Sequence, residues 1–244
     1  MQYKKGNKFY DESDVFDTYI DHRKWNENPN KTIENPIFLE LLKGINGNVL
    51  ELGCGYGGIV NDLLKLGVDN YVGIDSSNKM IEYGNTLIED SRVKLIQSNM
   101  ESWEFGHSKY RWIISSLAFH YLENLKEILG LIHNGLESNG RLVFSVEHPI
   151  ITSSIDLPRE QGKKRDWKVD QYFALGARKQ NWLGNHVIKY HRPIEEYWSI
   201  LTNLGFRIEE IKEGCPDRKY FQSESEYERR KRIPIFLIMK AVKL

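Results

Sequence analysis

Residues 49–58 read VLELGCGYGG, an apolar run that ends in a glycine-rich turn. Gly53, Gly55 and Gly58 satisfy the G-x-G-x-x-G spacing of dinucleotide-binding loops. Gly53, Gly55 and Gly57 satisfy the tighter G-x-G-x-G spacing instead. A turn of this kind between a first strand and a first helix lets a ligand approach bare backbone at a helix N-terminus, where open parallel sheets bind nucleotides. The ligand class therefore rests on the residues around the loop.

Reading outward, the pattern alternates strand and helix for about a hundred residues. Strands are expected at 48–53, 70–75, 92–99, 111–119 and 141–148. Helices are expected at 58–66, after Ser76 or Ser77, and at 124–137, the last ending at Asn139-Gly140. Such alternation implies a parallel sheet. From 149 to about 190 it fails, and a polar, aromatic stretch containing Trp167, Tyr172, Phe173 and Trp182 reads as a substrate lid. A helix over 193–205 and strands over 206–213 and 233–242 follow. The linker 214–232 shows no strong helical face, so the last strand is expected to run antiparallel to its neighbour. Residues 1–45 are expected to be a helical cap, with 36–42 helical and packed on the sheet. The expected organisation is one domain over 1–244: cap 1–45, core 48–148, lid 149–190 and a C-terminal part of the sheet at 191–244.

Glu51, two residues before Gly53, should reach the ligand edge. A carboxylate repels a pyrophosphate and attracts a cation, by about 1 kcal/mol at 4 Å in water and several-fold more in a partly buried cleft. That favours S-adenosylmethionine, which has no phosphate and carries a sulfonium and an ammonium. Asp75, 22 residues beyond Gly53, is placed for ribose hydroxyls, a position that equally suits NAD. Asn99 can present its carbonyl to an adenine amino group between Met80 and Met100. Cys54 is read as a small packing residue of the loop rather than a nucleophile. The candidate cofactor-binding set is Glu51, Gly53, Cys54, Gly55, Asp75, Ser76, Met80, Asn99, Met100 and Ser115, joined by Tyr19 and Arg23 of FDTYIDHRK.

The successive stretches VLELGCGYG, VGIDSSNKMIEYG, QSNME, SSLAFHYLENL and GRLVFSVEHP resemble the motifs of class I S-adenosylmethionine-dependent methyltransferases of the type 11 group. The resemblance covers 48–148. It implies an α/β, Rossmann-like, doubly wound seven-stranded sheet ordered 3-2-1-4-5-7-6, with strand seven reversed and helices on both faces. It also implies that Tyr19 and Arg23 fold over the cofactor, with Arg23 meeting its carboxylate. Asn99 stands where many relatives carry aspartate.

His120, after the fourth strand, is either a proton acceptor or a histidine that shapes the pocket. Glu147 and His148, ending the fifth strand, are the other candidates for acid-base work. His186, Tyr190, His191 and Arg192 either close over the pocket or form a polar hinge. N-P-P-Y and Pro-Cys are both absent after the fourth strand, which disfavours adenine-amino or cytosine C5 chemistry. With 34 basic and 34 acidic side chains, no overall field favours nucleic acid or membrane, and 228–232 reads as a solvated loop. Two cysteines, no metal-ligand spacing, no signal core and no membrane-length apolar run fit a cytoplasmic protein without metal, monomeric or homodimeric. The expected function is methyl transfer to a small-molecule acceptor. An NAD-type oxidoreductase and a non-catalytic cofactor-binding protein are the alternatives.

Overall fold

A computed structural model describes residues 9–154 and 167–244. Nine strands are assigned in them: β1 (Gly47–Leu52), β2 (Val68–Asp75), β3 (Val93–Gln97), β4 (Tyr110–Ser115), β5 (Leu136–Glu147), β6 (Gly176–Trp182), β7 (Asn185–His191), β8 (Phe206–Lys212) and β9 (Phe236–Lys243). Seven of them form one sheet in the order β3-β2-β1-β4-β5-β9-β8, and β6-β7 form a separate hairpin. The pairs from β3 through β5 are parallel, whereas β9 runs antiparallel to both β5 and β8. Without the hairpin this is the expected order 3-2-1-4-5-7-6.

Period-two alternation sends the sheet's apolar side chains to two cores. Leu50, Leu52, Ile113, Leu142, Phe144 and Met239 pack with the helices Leu125–Gly135 and Ile194–Asn203. Val49, Trp112, Ile114, Val143 and Ile238 pack on the other face with Asn35–Leu41 and Val60–Leu66. Glu51 shares the phase of Val49, so a carboxyl is carried into that second layer.

Several expected boundaries move. The helix expected at 124–137 ends at Gly135, because buried Leu136 pairs with Tyr110 and already belongs to β5. Asn139, at φ +58°, turns the chain within an irregularity of that strand instead of capping the helix. The linker 214–232 contains a helix, Glu224–Arg230, whose cap Ser223 accepts from Glu226 N–H at 3.3 Å. Ser223 and Glu226 have the spacing of a capping box, a signal legible in the sequence. The arginines of 228–232 are consequently not all solvated. Arg229 and Arg230 pair with buried Glu226.

The stretch 149–190 holds the short helix Pro149–Thr152 and the β6-β7 hairpin, joined through Leu183 (φ +50°) and Gly184 (φ +79°). Two successive positive φ values match the twist of a two-residue hairpin. Residues 155–166, also within the expected lid, lie outside the described residues. Val187 of the hairpin packs with Phe9 and Val15. His191 is buried between Thr152 Oγ1 and the Tyr172 carbonyl, 2.8 Å from each. The buried Arg192 guanidinium donates to the Leu122 and Glu123 carbonyls at 2.7 and 2.6 Å. Arg192 therefore pins the hairpin to the loop after β4, and His191 ties it to the short helix after β5.

Arg192→Ala removes two charge-assisted hydrogen bonds from a buried position. We expect a loss of about 2–4 kcal/mol, seen as a melting midpoint lower by roughly 5–10 °C in thermal unfolding.

Candidate active site

The C-terminal edges of β1, β2, β4 and β5 face a cavity of about 1240 Å³. Typical small-ligand pockets span about 300–1,000 Å³, so this one has room for more than one ligand. Its floor is the glycine loop. Gly53, Gly55 and Gly57 all have positive φ, whereas Gly58 does not. The backbone thus follows the G-x-G-x-G spacing. A Cβ on Gly53 would stand 2.5 Å from Ala118 Cβ, while one on Gly55 would meet nothing within 4 Å. The first glycine lets the loop pack against the chain after β4, and Gly55 exposes backbone to open space.

Asp75 closes the loop. One carboxylate oxygen accepts from Gly55 N–H at 2.8 Å and the other from Ser77 N–H at 2.9 Å. Ser77, not Ser76, caps the following helix, accepting from Met80 N–H and donating to Asp11. Burial raises the Asp75 pKa, against the lowering effect of these backbone hydrogen bonds. Each oxygen keeps a lone pair for a ligand hydroxyl. Asn99, Met80, Met100 and Ser76 line the same end of the cavity.

Glu51 is buried, and its carboxyl accepts from Tyr71 Oη at 2.5 Å. Burial pushes its pKa up to about 8, Tyr71 pulls it down, and the nearby Glu34 and Asp75 raise it further. Among the described residues Glu51 forms no ion pair. Arg23 also lines the cavity; its guanidinium lies 5.9 Å from the Tyr19 ring centre, and its Nε is buried without a partner. Cys54 is buried, and burial raises its thiol pKa well above normal, which leaves it inert as a nucleophile.

Beyond β4 the cavity changes character. Lys189 and Glu147 form a buried ion pair at 2.5 Å, with the ammonium 5.8 Å from the Tyr121 ring centre and 5.1 Å from that of Trp182. Burial alone would raise the Glu147 pKa, but Lys189 holds it below the usual carboxylate value. Glu147 Oε1 meets Lys189, and Oε2 is buried without a hydrogen bond. His120 is buried, and burial drives its pKa down to about 3. Its Nδ1 accepts from Glu147 N–H at 3.4 Å. The imidazole is therefore neutral near pH 7 and a weak base. Tyr10 shares a hydrogen bond with Tyr121 Oη at 3.1 Å and accepts from Trp182 Nε1 at 3.2 Å, adding an aromatic wall.

Two expected site residues are not at the cavity. Ser115 is fully buried and donates to the Leu52 carbonyl at 2.8 Å, tying β4 to β1 behind the loop. His148 caps Pro149–Thr152, accepting from Ile150 N–H through Nδ1, while Nε2 meets Glu213 at 3.1 Å. Both of its ring nitrogens are engaged away from the cavity. Lys189, Tyr10 and Tyr121 escaped the sequence reading, which named Trp182 only as part of the lid. A lysine at the buried phase of Val187 and His191 was the available signal for the first.

Comparison with known proteins agrees with this geometry. A family model described as a methyltransferase domain matches residues 49–140. An uncharacterized protein of Haemophilus influenzae is 34% identical over 218 residues, covering 84% of this chain and 85% of that one. A crystal structure assigned as an S-adenosylmethionine-dependent methyltransferase of Listeria monocytogenes superposes with a TM-score of 0.78 at 30% identity, covering 86% of this chain and 96% of that one. Another, from Mesorhizobium loti, gives 0.77 at 28% identity, covering 91% and 100%. The chain belongs to the S-adenosylmethionine-dependent methyltransferases. Its cofactor is S-adenosylmethionine, and the residues present suit that molecule. The buried carboxyl of Glu51, without an ion pair among the described residues, suits a cationic ligand, the Asp75 lone pairs suit hydroxyls, and open space lies beside Gly55.

The raised pKa of Glu51 predicts proton-linked cofactor binding. Below pH 8 the group is mostly protonated, and a nearby cation favours its ionised form, so binding expels a proton. Affinity for S-adenosylmethionine should rise with pH up to about 8 and then level off. Glu51→Gln should weaken binding roughly tenfold and remove that part of the pH dependence. Calorimetric titration of both proteins from pH 6 to 9 checks this, the difference between the profiles cancelling the ligand's own titration.

Proposed function

We propose that the chain methylates a small-molecule acceptor held over β4 and β5, with Glu147 as the group that orients the acceptor and takes its proton. The observation that carries this reading is Glu147 Oε2, a buried, unpartnered acceptor atom on a cavity-lining residue. An ionised oxygen left without a donor at a cavity wall is matched by an N–H or O–H of a ligand.

Asp75, Asn99, Met80, Met100 and Ser76 would hold the nucleoside part of the cofactor, and Glu51, Tyr19 and Arg23 its amino-acid part. Bound there, S-adenosylmethionine supplies a methyl group already activated by its sulfonium for in-line displacement. The protein's share is to fix the acceptor, keep water out and remove a proton. Lys189 keeps Glu147 ionised in a dry setting, so the carboxylate is ready at neutral pH. His120, neutral and braced by the Glu147 backbone, positions this region and is not the base. The enclosed, partly aromatic cavity supports a small acceptor rather than a polymer. The hairpin and residues 149–154 would serve as its lid. Among the described residues no helix is long and apolar enough to cross a membrane.

The test is a screen of small nucleophilic acceptors that follows S-adenosylhomocysteine release, with the Glu147→Gln variant in parallel. On the acceptor found, Glu147→Gln should lower kcat about 10²–10⁴-fold while cofactor affinity is kept. His120→Asn should retain most of the activity, with no pH dependence of kcat near 6.5. Full activity of Glu147→Gln would remove the carboxylate from the mechanism.

A further inference from the structure

Arg229 and Arg230 also line the cavity. Both are largely buried, with 18% and 12% side-chain exposure, and both lean on the single carboxylate of Glu226. Arg229 uses Nε and Nη2 for that contact and Arg230 uses Nε. Nη1 of Arg229 and both Nη atoms of Arg230 make no hydrogen bond within the described residues. Among the described residues, two guanidiniums share one carboxylate at a largely desolvated wall. Burial, and after it the neighbouring Arg229 charge, pushes the Arg230 pKa below its usual value. The same field reaches His22, whose pKa is lowered by burial, Arg23 and Arg230.

We propose that Arg229 and Arg230 form an oxyanion-binding end of the acceptor site, so that the methyl acceptor carries a carboxylate or phosphate. This deepens the reading given under Proposed function and rests on it. The topology supports the acceptor half as the location. The helix Glu224–Arg230 leads into β9, whose first residue, Phe236, pairs with Glu147 at the end of β5. The cofactor-binding loop lies on the other side of β4, along β1 and β2. Guanidinium forks match the planar or tetrahedral oxygens of carboxylate and phosphate. Ile151, Ile235, Phe236 and Trp167 line the same cavity, so the anionic group would be carried by an apolar body. An anion there meets the guanidiniums, and Glu147 engages the nucleophile elsewhere on the same molecule.

The experiment uses the full chain saturated with S-adenosylhomocysteine, which fills the cofactor site, titrated calorimetrically with inorganic phosphate and, separately, with succinate. We expect one or both to bind weakly and salt-sensitively, the preferred one identifying the anion. Arg230→Gln, which leaves Arg229 to pair Glu226, should weaken that binding about tenfold with S-adenosylhomocysteine affinity unchanged. If this variant does not fold, Arg230→Lys carries the comparison: the charge stays, the fork is lost, and affinity should fall at least threefold. No binding of either anion by the wild type, or equal binding by wild type and variant, overturns the proposal. So does a loss confined to S-adenosylhomocysteine affinity, which would assign the arginines to the cofactor's carboxylate. Failure of the wild type to bind S-adenosylhomocysteine would instead count against the cofactor-site reading, a separate result.

Discussion

Asp75 accepts Gly55 N–H with one oxygen and Ser77 N–H with the other, and the site depends on that bridge. It joins the loop after β1 to the turn after β2, adjacent parallel strands whose C-terminal ends would otherwise splay. With the loop closed, Gly53 can lie against Ala118 and Gly55 can face open space. The carboxylate is already satisfied by backbone, so it presents lone pairs in fixed directions and needs little reorganisation when hydroxyls arrive. Asp75 is thus a structural aspartate as well as a candidate ligand-binding one, and its burial is tolerable because two amide dipoles stabilise its charge.

Glu51 is the opposite case. Among the described residues its hydrogen-bond donor is Tyr71, and the other charged groups close by include Glu34 and Asp75. Glu34, fully buried beneath Ser116 and Ser145, has a raised pKa and one oxygen without a partner. A layer of carboxyls under one end of the cavity, incompletely neutralised by Arg23, makes that end a sink for positive charge. Elsewhere the cavity wall carries the Glu147–Lys189 pair and the two arginines around Glu226. One cavity therefore holds regions of opposite electrostatic preference, the first suited to a cationic cofactor and the second to an acceptor of different charge.

The sheet order, the reversed strand and the glycine loop were legible because they rest on local signals: period-two apolar runs, turn residues and a carboxylate at a fixed offset. Thirteen of the residues singled out, from Tyr19 and Arg23 to Glu147, do line the cavity. Ser115 and His148 misled because a polar residue at a strand end can satisfy itself on backbone or on a helix cap, and sequence does not distinguish these fates. Tyr10 and Tyr121 lie far in the chain from Trp182 and Lys189, and the four meet only when the hairpin docks on the N-terminal segment and the loop after β4. Their proximity is a property of packing. The Asn139 turn failed similarly: the Asn-Gly pair signalled a turn correctly, but the pairing of Leu136 with Tyr110 decided that it lies inside a strand.

The placement of Lys189 explains why the hairpin is present at all. A lysine buried against Tyr121 and Trp182 is costly unless its charge is compensated, and among the described residues Glu147 supplies the carboxylate at bonding distance. Glu147 in turn would rise toward neutrality in the same dry setting without the ammonium. Neither is tenable alone, so docking the hairpin and ionising Glu147 are one event. The ionised state of Glu147 is thereby tied to the docking of the hairpin that carries Lys189.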